Sequence, residues 1–203
     1  AAPVTCPGGR LAVDAPTPVL AARICRVAGT AATRLARCGL PLPGQVEIFV
    51  GAGLAAGCMG VFHCGEGRIE LMTPAAFADA RSPDGPFALL PRRAYYDSVV
   101  AHEIAHAAHD AVPCPFGSCE VTGEYVAYAT QIGTLPEAAR RAFLAAALDG
   151  SPAGRDDLSL VMLKLSPTRF AAAAATHLAA QDDPCATLGA IARGDLLFDR
   201  ERP

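Results

Sequence analysis

The chain has 203 residues, of which 52% are hydrophobic and 18% are charged, and its formal net charge is −3. This length and composition indicate one globular domain with a packed core and argue against a disordered chain. The absence of a basic stripe gives no basis for nucleic-acid binding, and no apolar run reaches the length of a transmembrane helix.

The first half of the chain contains the segments with strand periodicity. Residues 1–16 are rich in Pro and Gly, which predicts an irregular N-terminal segment. Apolar residues at helical spacing predict a helix over 19–38, ended by Gly39. Short alternating or apolar runs predict strands over 45–50, 59–63 and 68–71, the last two joined by a hairpin turn at 64–67.

The second half is predicted to be helical. Thr73-Pro74 is typical of a helix start and predicts a short helix over 75–80, followed by a loop over 81–91. Further helical patterns lie at 92–111, 119–132, 136–148, 168–181 and 185–192. Residues 156–165 fit either a helix or an extended segment.

The order of these elements predicts an α+β fold that is mainly helical with a small antiparallel sheet. The sheet precedes the helix over 92–111, which carries the motif described below, and the helix over 119–132, which carries glutamates. We expect a single domain over 1–203, with its core at 19–133 and a helical C-terminal part at 134–203.

The cysteine count predicts disulfides and an oxidising compartment, because cytosolic chains rarely use so many cysteines. The eight are Cys6, Cys25, Cys38, Cys58, Cys64, Cys114, Cys119 and Cys185. Short spacing favours the pairs Cys58–Cys64 and Cys114–Cys119, with the other four pairing over longer range. The start at Ala1 fits a mature secreted chain that has lost a signal peptide, or a trimmed chain.

The motif His102-Glu103-Ile104-Ala105-His106 carries the predicted chemistry. Residues four apart lie on one face of a helix, so both imidazoles can bind one zinc ion. Glu103 is offset around the helix, where its carboxylate can take a proton from water at the metal. The motif therefore predicts a zinc site with Glu103 as general base; a pair of histidines satisfied by hydrogen bonds in the core is the alternative.

A catalytic zinc site usually has three protein ligands, so a third ligand is expected on the next helix. Glu120 and Glu124 lie there, four residues apart and on one face. Glu124 is favoured because the chain between it and His106 leaves room for a turn through the Cys114–Cys119 loop. Glu120 is the alternative ligand, although its position in the first helical turn also suits interaction with the helix dipole.

The pair of motifs, His102-Glu103-x-x-His106 and Glu124-x-x-Ala127, resembles the gluzincin clan of zinc metallopeptidases, over roughly residues 19–133 and mainly in layout. The resemblance implies zinc ligands His102, His106 and Glu124, with Glu103 as general base. The chain also looks like an uncharacterised family of small secreted bacterial proteins, which implies a secreted or periplasmic location in a bacterium. His109 and Val112 replace the Gly and His that metzincins require, so that class is excluded.

Two tyrosines flank the predicted third ligand and are candidate catalytic residues. The hydroxyl of Tyr125 or of Tyr128, if it pointed at the metal, would stabilise the oxyanion of a tetrahedral intermediate. The alternative is that each ring is packed in the core with its hydroxyl satisfied.

Other polar residues near the motif are weaker candidates for a role in the site. His109 can be a donor or simply an exposed histidine, and Asp110 can orient an imidazole or lie at an exposed helix end. His177 can fold back over the cleft as a donor to substrate, although this is the less favoured reading. His63 is assigned no role, and Tyr95 is predicted to lie in the core.

These features predict a zinc-dependent hydrolase that holds one zinc ion per chain and is most simply a peptidase acting on a peptide or protein substrate. Two alternatives stay open. One is a secreted zinc-binding interaction module without turnover, and the other is a zinc amidase that acts on cell-wall peptides.

Overall fold

The computed structural model of the protein describes residues 2–54 and 58–199. The N-terminal half of the chain forms a five-stranded sheet with the strand order β1-β2-β3-β5-β4. The strands are β1 Val4–Thr5, β2 Leu11–Asp14, β3 Val46–Gly51, β4 Gly60–His63 and β5 Arg68–Met72. The three strands predicted from sequence are confirmed as β3, β4 and β5, and β4 lies at the edge of the sheet.

The sheet is mixed, so the predicted antiparallel sheet is wrong at its centre. β2 pairs with β3, and β3 with β5, in parallel, whereas β1–β2 and β4–β5 are antiparallel. The helix α1 (Pro18–Arg37) joins β2 to β3 and returns the chain to the same end of the sheet, which makes these strands parallel. The prediction of an irregular segment over 1–16 is also wrong, because β1 and β2 lie there.

One face of the sheet packs against α1 and forms the buried centre of this half. Alternate residues of the strands point to that face, as the two-residue period of a strand requires. The buried strand residues on this face are Leu11, Val13, Val46, Ile48, Ile69 and Leu71, and the buried residues of α1 are Ala21, Ile24, Cys25, Ala28, Ala31 and Leu35. The backbone N–H of Leu20 donates to the Thr17 hydroxyl at 3.2 Å, which caps the start of α1 one residue before the predicted helix begins.

The second half is helical, which confirms the predicted α+β class. Its helices are α2 Pro74–Ala80, α3 Arg92–His109, α4 Glu120–Gly133, α5 Glu137–Leu148, α6 Leu160–Leu165, α7 Pro167–Ala179 and α8 Pro184–Ala192. Residues 156–165, which fit either a helix or an extended segment by sequence, form the end of a 3-10 turn followed by α6. The predicted loop over 81–91 includes a 3-10 turn at Pro86–Leu89. Within the described residues, no helix is both long and apolar enough to cross a membrane.

The structure has three disulfides, Cys6–Cys25, Cys38–Cys185 and the predicted Cys114–Cys119, which closes a short loop. The predicted Cys58–Cys64 pair is wrong, since both residues have free thiols. The extended strand β4 lies between these two cysteines and rises about 3.3 Å per residue, whereas a disulfide needs Cα atoms about 4.4–6.8 Å apart. The three disulfides are compatible with an extracellular location.

The Cys38–Cys185 disulfide joins the end of α1 to the start of α8 across 147 residues. Loop-closure entropy gives about 5 kcal/mol for this pair and about 2 kcal/mol for Cys114–Cys119. We therefore expect Cys38→Ser/Cys185→Ser to lower the free energy of unfolding, measured in urea, by about 2–5 kcal/mol. Cys114→Ser/Cys119→Ser is the matched control, and an equal or larger loss in that variant would contradict the entropic reasoning.

Candidate metal centre

The helices α3 and α4 pack side by side, and a polar face of each helix is directed towards the other helix. On α3, Ser98, His102 and His106 repeat every four residues and so share a face. On α4, Glu124 and Gln131 are seven residues apart and also share a face. The packing of these two faces brings residues from the two predicted motifs together.

The side chains of His102, His106 and Glu124 converge on one point. The two histidine Nε2 atoms are 3.0 Å apart. Oε2 of Glu124 lies 3.6 Å from Nε2 of His102, and Oε1 lies 3.5 Å from Nε2 of His106. Tetrahedral zinc binds nitrogen and oxygen at about 2.0–2.2 Å, which places ligand atoms roughly 3.3–3.5 Å apart. This group can therefore hold a metal ion.

Both imidazoles are in the chemical form that binds a metal. Burial and the neighbouring His106 hold the pKa of His102 well below its usual range. Burial and His109 lower the pKa of His106 to about 4. The two rings are therefore neutral at pH 7, and a neutral ring has the lone pair that a metal ion needs.

Two carboxyl groups, the half-buried Glu124 and the buried Glu103, lie at the same place. Burial and Glu120 raise the pKa of Glu124 to about 7, against the opposing charge of Lys164. Burial and Glu124 raise the pKa of Glu103 to about 8. A divalent cation between the ligands would offset the cost of burying these charges, so the donor set fits such an ion.

Glu103 lies against the edge strand β4, and its carboxylate is outside the ligand group. Its side chain is buried, and the nearby backbone of Phe62 partly opposes the rise in its pKa. The carboxylate fits there because Gly60 has no side chain: a Cβ at that position would lie 2.7 Å from Oε1 of Glu103. The absence of a side chain at Gly60 therefore makes the room that this carboxylate occupies.

The ligands and Glu103 line a cleft of about 490 Å³. Gly60, Val61 and Phe62 of β4 form one wall, and α3, the start of α4 and the Cys114–Cys119 loop form the rest. The metal-binding group is thus accessible to a molecule that lies along the edge of the sheet.

A family model matches residues 11–201 of the chain, a range that includes every residue of this site. The chain belongs to the DUF6639 family. That family is described as one of unknown function, so membership of DUF6639 assigns no activity to the site. No curated protein and no solved structure matches the chain.

Substitution of Gly60 in this DUF6639 chain tests the contact between β4 and Glu103. In Gly60→Ala, the new Cβ would lie 2.7–3.0 Å from three atoms of the Glu103 side chain, so the strand or the carboxylate must move. We expect the free energy of unfolding to fall by about 1–3 kcal/mol. Gly51→Ala on β3 is the control, because its Cβ would meet nothing within 4 Å. An equal loss in both variants, measured by urea unfolding, would mean that the contact with Glu103 is not the cause.

The two candidate catalytic tyrosines lie in different places. Tyr128 is four residues after Glu124, and its ring meets the ring of His102 edge-on with centroids 4.7 Å apart. Tyr125 is one residue after Glu124 and so lies about 100° around the helix. Its hydroxyl is 2.8 Å from Nδ1 of His177. Neither ring is among the described residues that line the cleft. Tyr128 borders the metal centre, whereas the catalytic role predicted for Tyr125 does not agree with its position.

The interaction with Tyr125 also places His177 away from the cleft. The ring of His177 lies edge-on to those of Tyr125 and Phe198, and its carbonyl accepts a hydrogen bond from Gln181 at 2.8 Å. His177 is not among the described residues that line the cleft, so the structure does not bring it to the metal centre. Tyr95 is buried as predicted.

The remaining polar candidates have other partners in the structure. Glu120 forms an ion pair with Lys164 and is not in the ligand group. Asp110 accepts hydrogen bonds from the backbone N–H of Gly65 at 3.0 and 3.1 Å, so it holds the β4–β5 turn and does not orient an imidazole. His109 lines the cleft one helical turn beyond the second motif histidine.

Several residues that support the site were not predicted from sequence. Asp199 caps the start of α4, where its carboxylate accepts from the N–H groups of Val121 and Thr122 at 2.8 and 3.0 Å. Gly123 allows α4 to approach α3, because a Cβ there would lie 3.3 Å from Nδ1 of His109. A glycine directly before the predicted ligand was a usable signal, whereas nothing in the sequence linked Asp199 to α4.

Proposed function

We propose that the chain is a zinc-dependent hydrolase of the gluzincin type, a peptidase that acts outside the cytoplasm, either secreted or in the periplasm. The observation that carries the proposal is the position of Glu103. This buried carboxylate lies beside a three-ligand group of His102, His106 and Glu124, but is not part of it, and both open onto the same cleft. Three protein ligands and an open position are typical of catalytic zinc, while structural zinc sites are usually closed by four.

The residues of the chain divide the chemistry between them. Zinc bound by His102, His106 and Glu124 would supply polarisation of the scissile carbonyl and a lowered pKa for water. Glu103 accepts the proton of the attacking water at its carboxylate and then donates it to the leaving amine. Glu103 lines the cleft together with Gly60 and Phe62 of β4, so its carboxylate lies beside the wall that β4 forms.

A peptide is the substrate class that the cleft suits. β4 is the last strand in the sheet order, and it forms one wall of the cleft. An extended peptide can add to such an edge through main-chain hydrogen bonds, which would place its carbonyl groups along the line of the metal centre.

The proposal is tested by zinc analysis and turnover on the same preparation. The chain is stripped with a chelator, reloaded with zinc, and incubated with a mixed peptide library and with cell-wall peptides. We expect one zinc ion per chain and cleavage that a chelator abolishes and zinc restores. Zinc without cleavage would indicate the interaction module, cleavage of cell-wall peptides alone would indicate the amidase, and failure to bind zinc would overturn all three.

A further inference from the structure

Two buried polar side chains at the α3–α4 interface have no role in the proposed chemistry. Among the described residues, the buried polar or charged side chains are Ser98, Glu103, Thr122 and Gln131. Glu103 is the proposed base, and Thr122 is bonded to the cap of α4. Ser98 and Gln131 are only 1% and 3% exposed. Burying polar groups costs free energy unless they are hydrogen-bonded, so their presence needs a reason.

The hydrogen bonds of Ser98 fix the orientation of the Gln131 amide. The Ser98 hydroxyl has one hydrogen, which it donates to the carbonyl oxygen of Tyr95 at 2.7 Å. Towards Gln131 it can therefore only accept, and Nε2 of Gln131 lies 3.4 Å from its oxygen. The amide nitrogen of Gln131 faces Ser98, and the amide oxygen is left to accept from another group.

The other neighbour of Gln131 is His102, whose Nδ1 needs an acceptor. Nε2 of His102 faces the metal-binding point, with Nε2 of His106 3.0 Å away. To bind a metal, Nε2 must have its lone pair free, so the hydrogen of the neutral ring must lie on Nδ1. That Nδ1 atom is buried, and no residue of the described ranges forms a hydrogen bond with it. Gln131 contacts Ser98, which lies one helical turn before His102 on the same face of α3, so the Gln131 side chain lies beside this ring.

We infer that Gln131 is a positioning residue for the metal centre. When the metal is bound, Oε1 of Gln131 accepts the Nδ1–H of His102, while Ser98 holds the amide in the required orientation. This hydrogen bond fixes the tautomer that presents Nε2 to the metal, and it limits rotation of the ring. The inference rests on the proposed metal site, and it names Gln131 as the residue that orients the ligand His102. Loss of such a partner typically weakens metal binding by about 10–100-fold.

The test is the zinc affinity of matched variants, measured by competition with a chromophoric chelator. Gln131→Leu removes the acceptor at nearly constant volume, and we expect zinc to bind about 10–100-fold more weakly. Gln131→Glu keeps an oxygen that can accept from Nδ1 but loses the donor to Ser98, so its zinc affinity should fall less than that of Gln131→Leu. Ser98→Ala removes the group that orients the Gln131 amide, which can then rotate. This variant should lose less zinc affinity than Gln131→Leu. Gln45→Leu, at an exposed position, controls for the change of residue type.

The outcomes separate this inference from the proposed site. Unchanged affinity in Gln131→Leu, or equal losses in the Leu and Glu variants, would overturn the inference and leave the zinc site standing. Failure of the wild type to bind zinc would overturn both. If Gln131→Leu does not fold, nitrogen-15 NMR of the zinc-loaded wild type decides: a slowly exchanging proton on Nδ1 of His102 is expected, and a ring with its proton on Nε2 would overturn the inference.

Discussion

Replacing Glu124 with alanine is expected to weaken zinc binding by more than about 100-fold, beyond the usual effect of losing a supporting residue. The substitution removes the only anionic side chain of the three-residue group and leaves two neutral imidazoles. Two ligands cannot complete the coordination that zinc adopts in proteins. The measurement is elemental analysis after dialysis, together with chelator competition to obtain the affinity.

Glu120→Ala is the matched control for Glu124→Ala. Both residues lie on α4 and both line the cleft, but the carboxylate of Glu120 is paired with Lys164. We expect Glu120→Ala to retain zinc at nearly the wild-type affinity. Zinc retained in Glu124→Ala and lost in Glu120→Ala would show that the third ligand had been assigned to the wrong glutamate.

The helices were predictable because their signals are local. A Thr-Pro pair begins both α1 and α2, and apolar residues repeat at helical spacing through α1. Each signal lies within one or two helical turns, so it does not depend on the rest of the fold.

The centre of the sheet was not predictable in the same way. β1 and β2 have only two and four residues, too few to show a clear alternation among prolines and glycines. Whether two strands are parallel depends on the path of the chain between them. The direction of β2 relative to β3 follows from how α1 packs on the sheet, which is a tertiary property.

The metal-binding group was predictable because its residues obey helical geometry. His102 and His106 share a face in any α-helix, and Glu124 follows after a turn closed by a disulfide. The same geometry separates the tyrosines, since a residue four positions after Glu124 shares its face and a residue one position after does not. The contact between Gly60 and Glu103 could not be predicted, because it requires β4 to lie over α3.

Replacing Glu103 with glutamine is expected to leave zinc binding intact and to reduce hydrolysis by about 10²–10⁴-fold, the usual contribution of a general base. The amide occupies nearly the same volume beside Gly60 but cannot accept the proton of the attacking water. Turnover is measured on the zinc-loaded variant with the peptide that the wild type cleaves best. Glu47→Gln, on the exposed side of β3, controls for the same chemical change away from the cleft.

The pH dependence of the free energy of unfolding shows whether Glu103→Gln has removed the ionisable group without disturbing the fold. In the metal-free chain, the pKa of Glu103 is raised from 4.5 to about 8, so its protonated form stabilises the fold. That contribution is fully present below pH 4.5 and is lost as the pH rises through 8. Glutamine cannot ionise, so the metal-free variant should lose less stability than the wild type between these limits. The contradicting result is a variant that shows this pH dependence when metal-free, binds zinc, and still hydrolyses peptides at the wild-type rate when loaded. That combination of results would exclude Glu103 as the base.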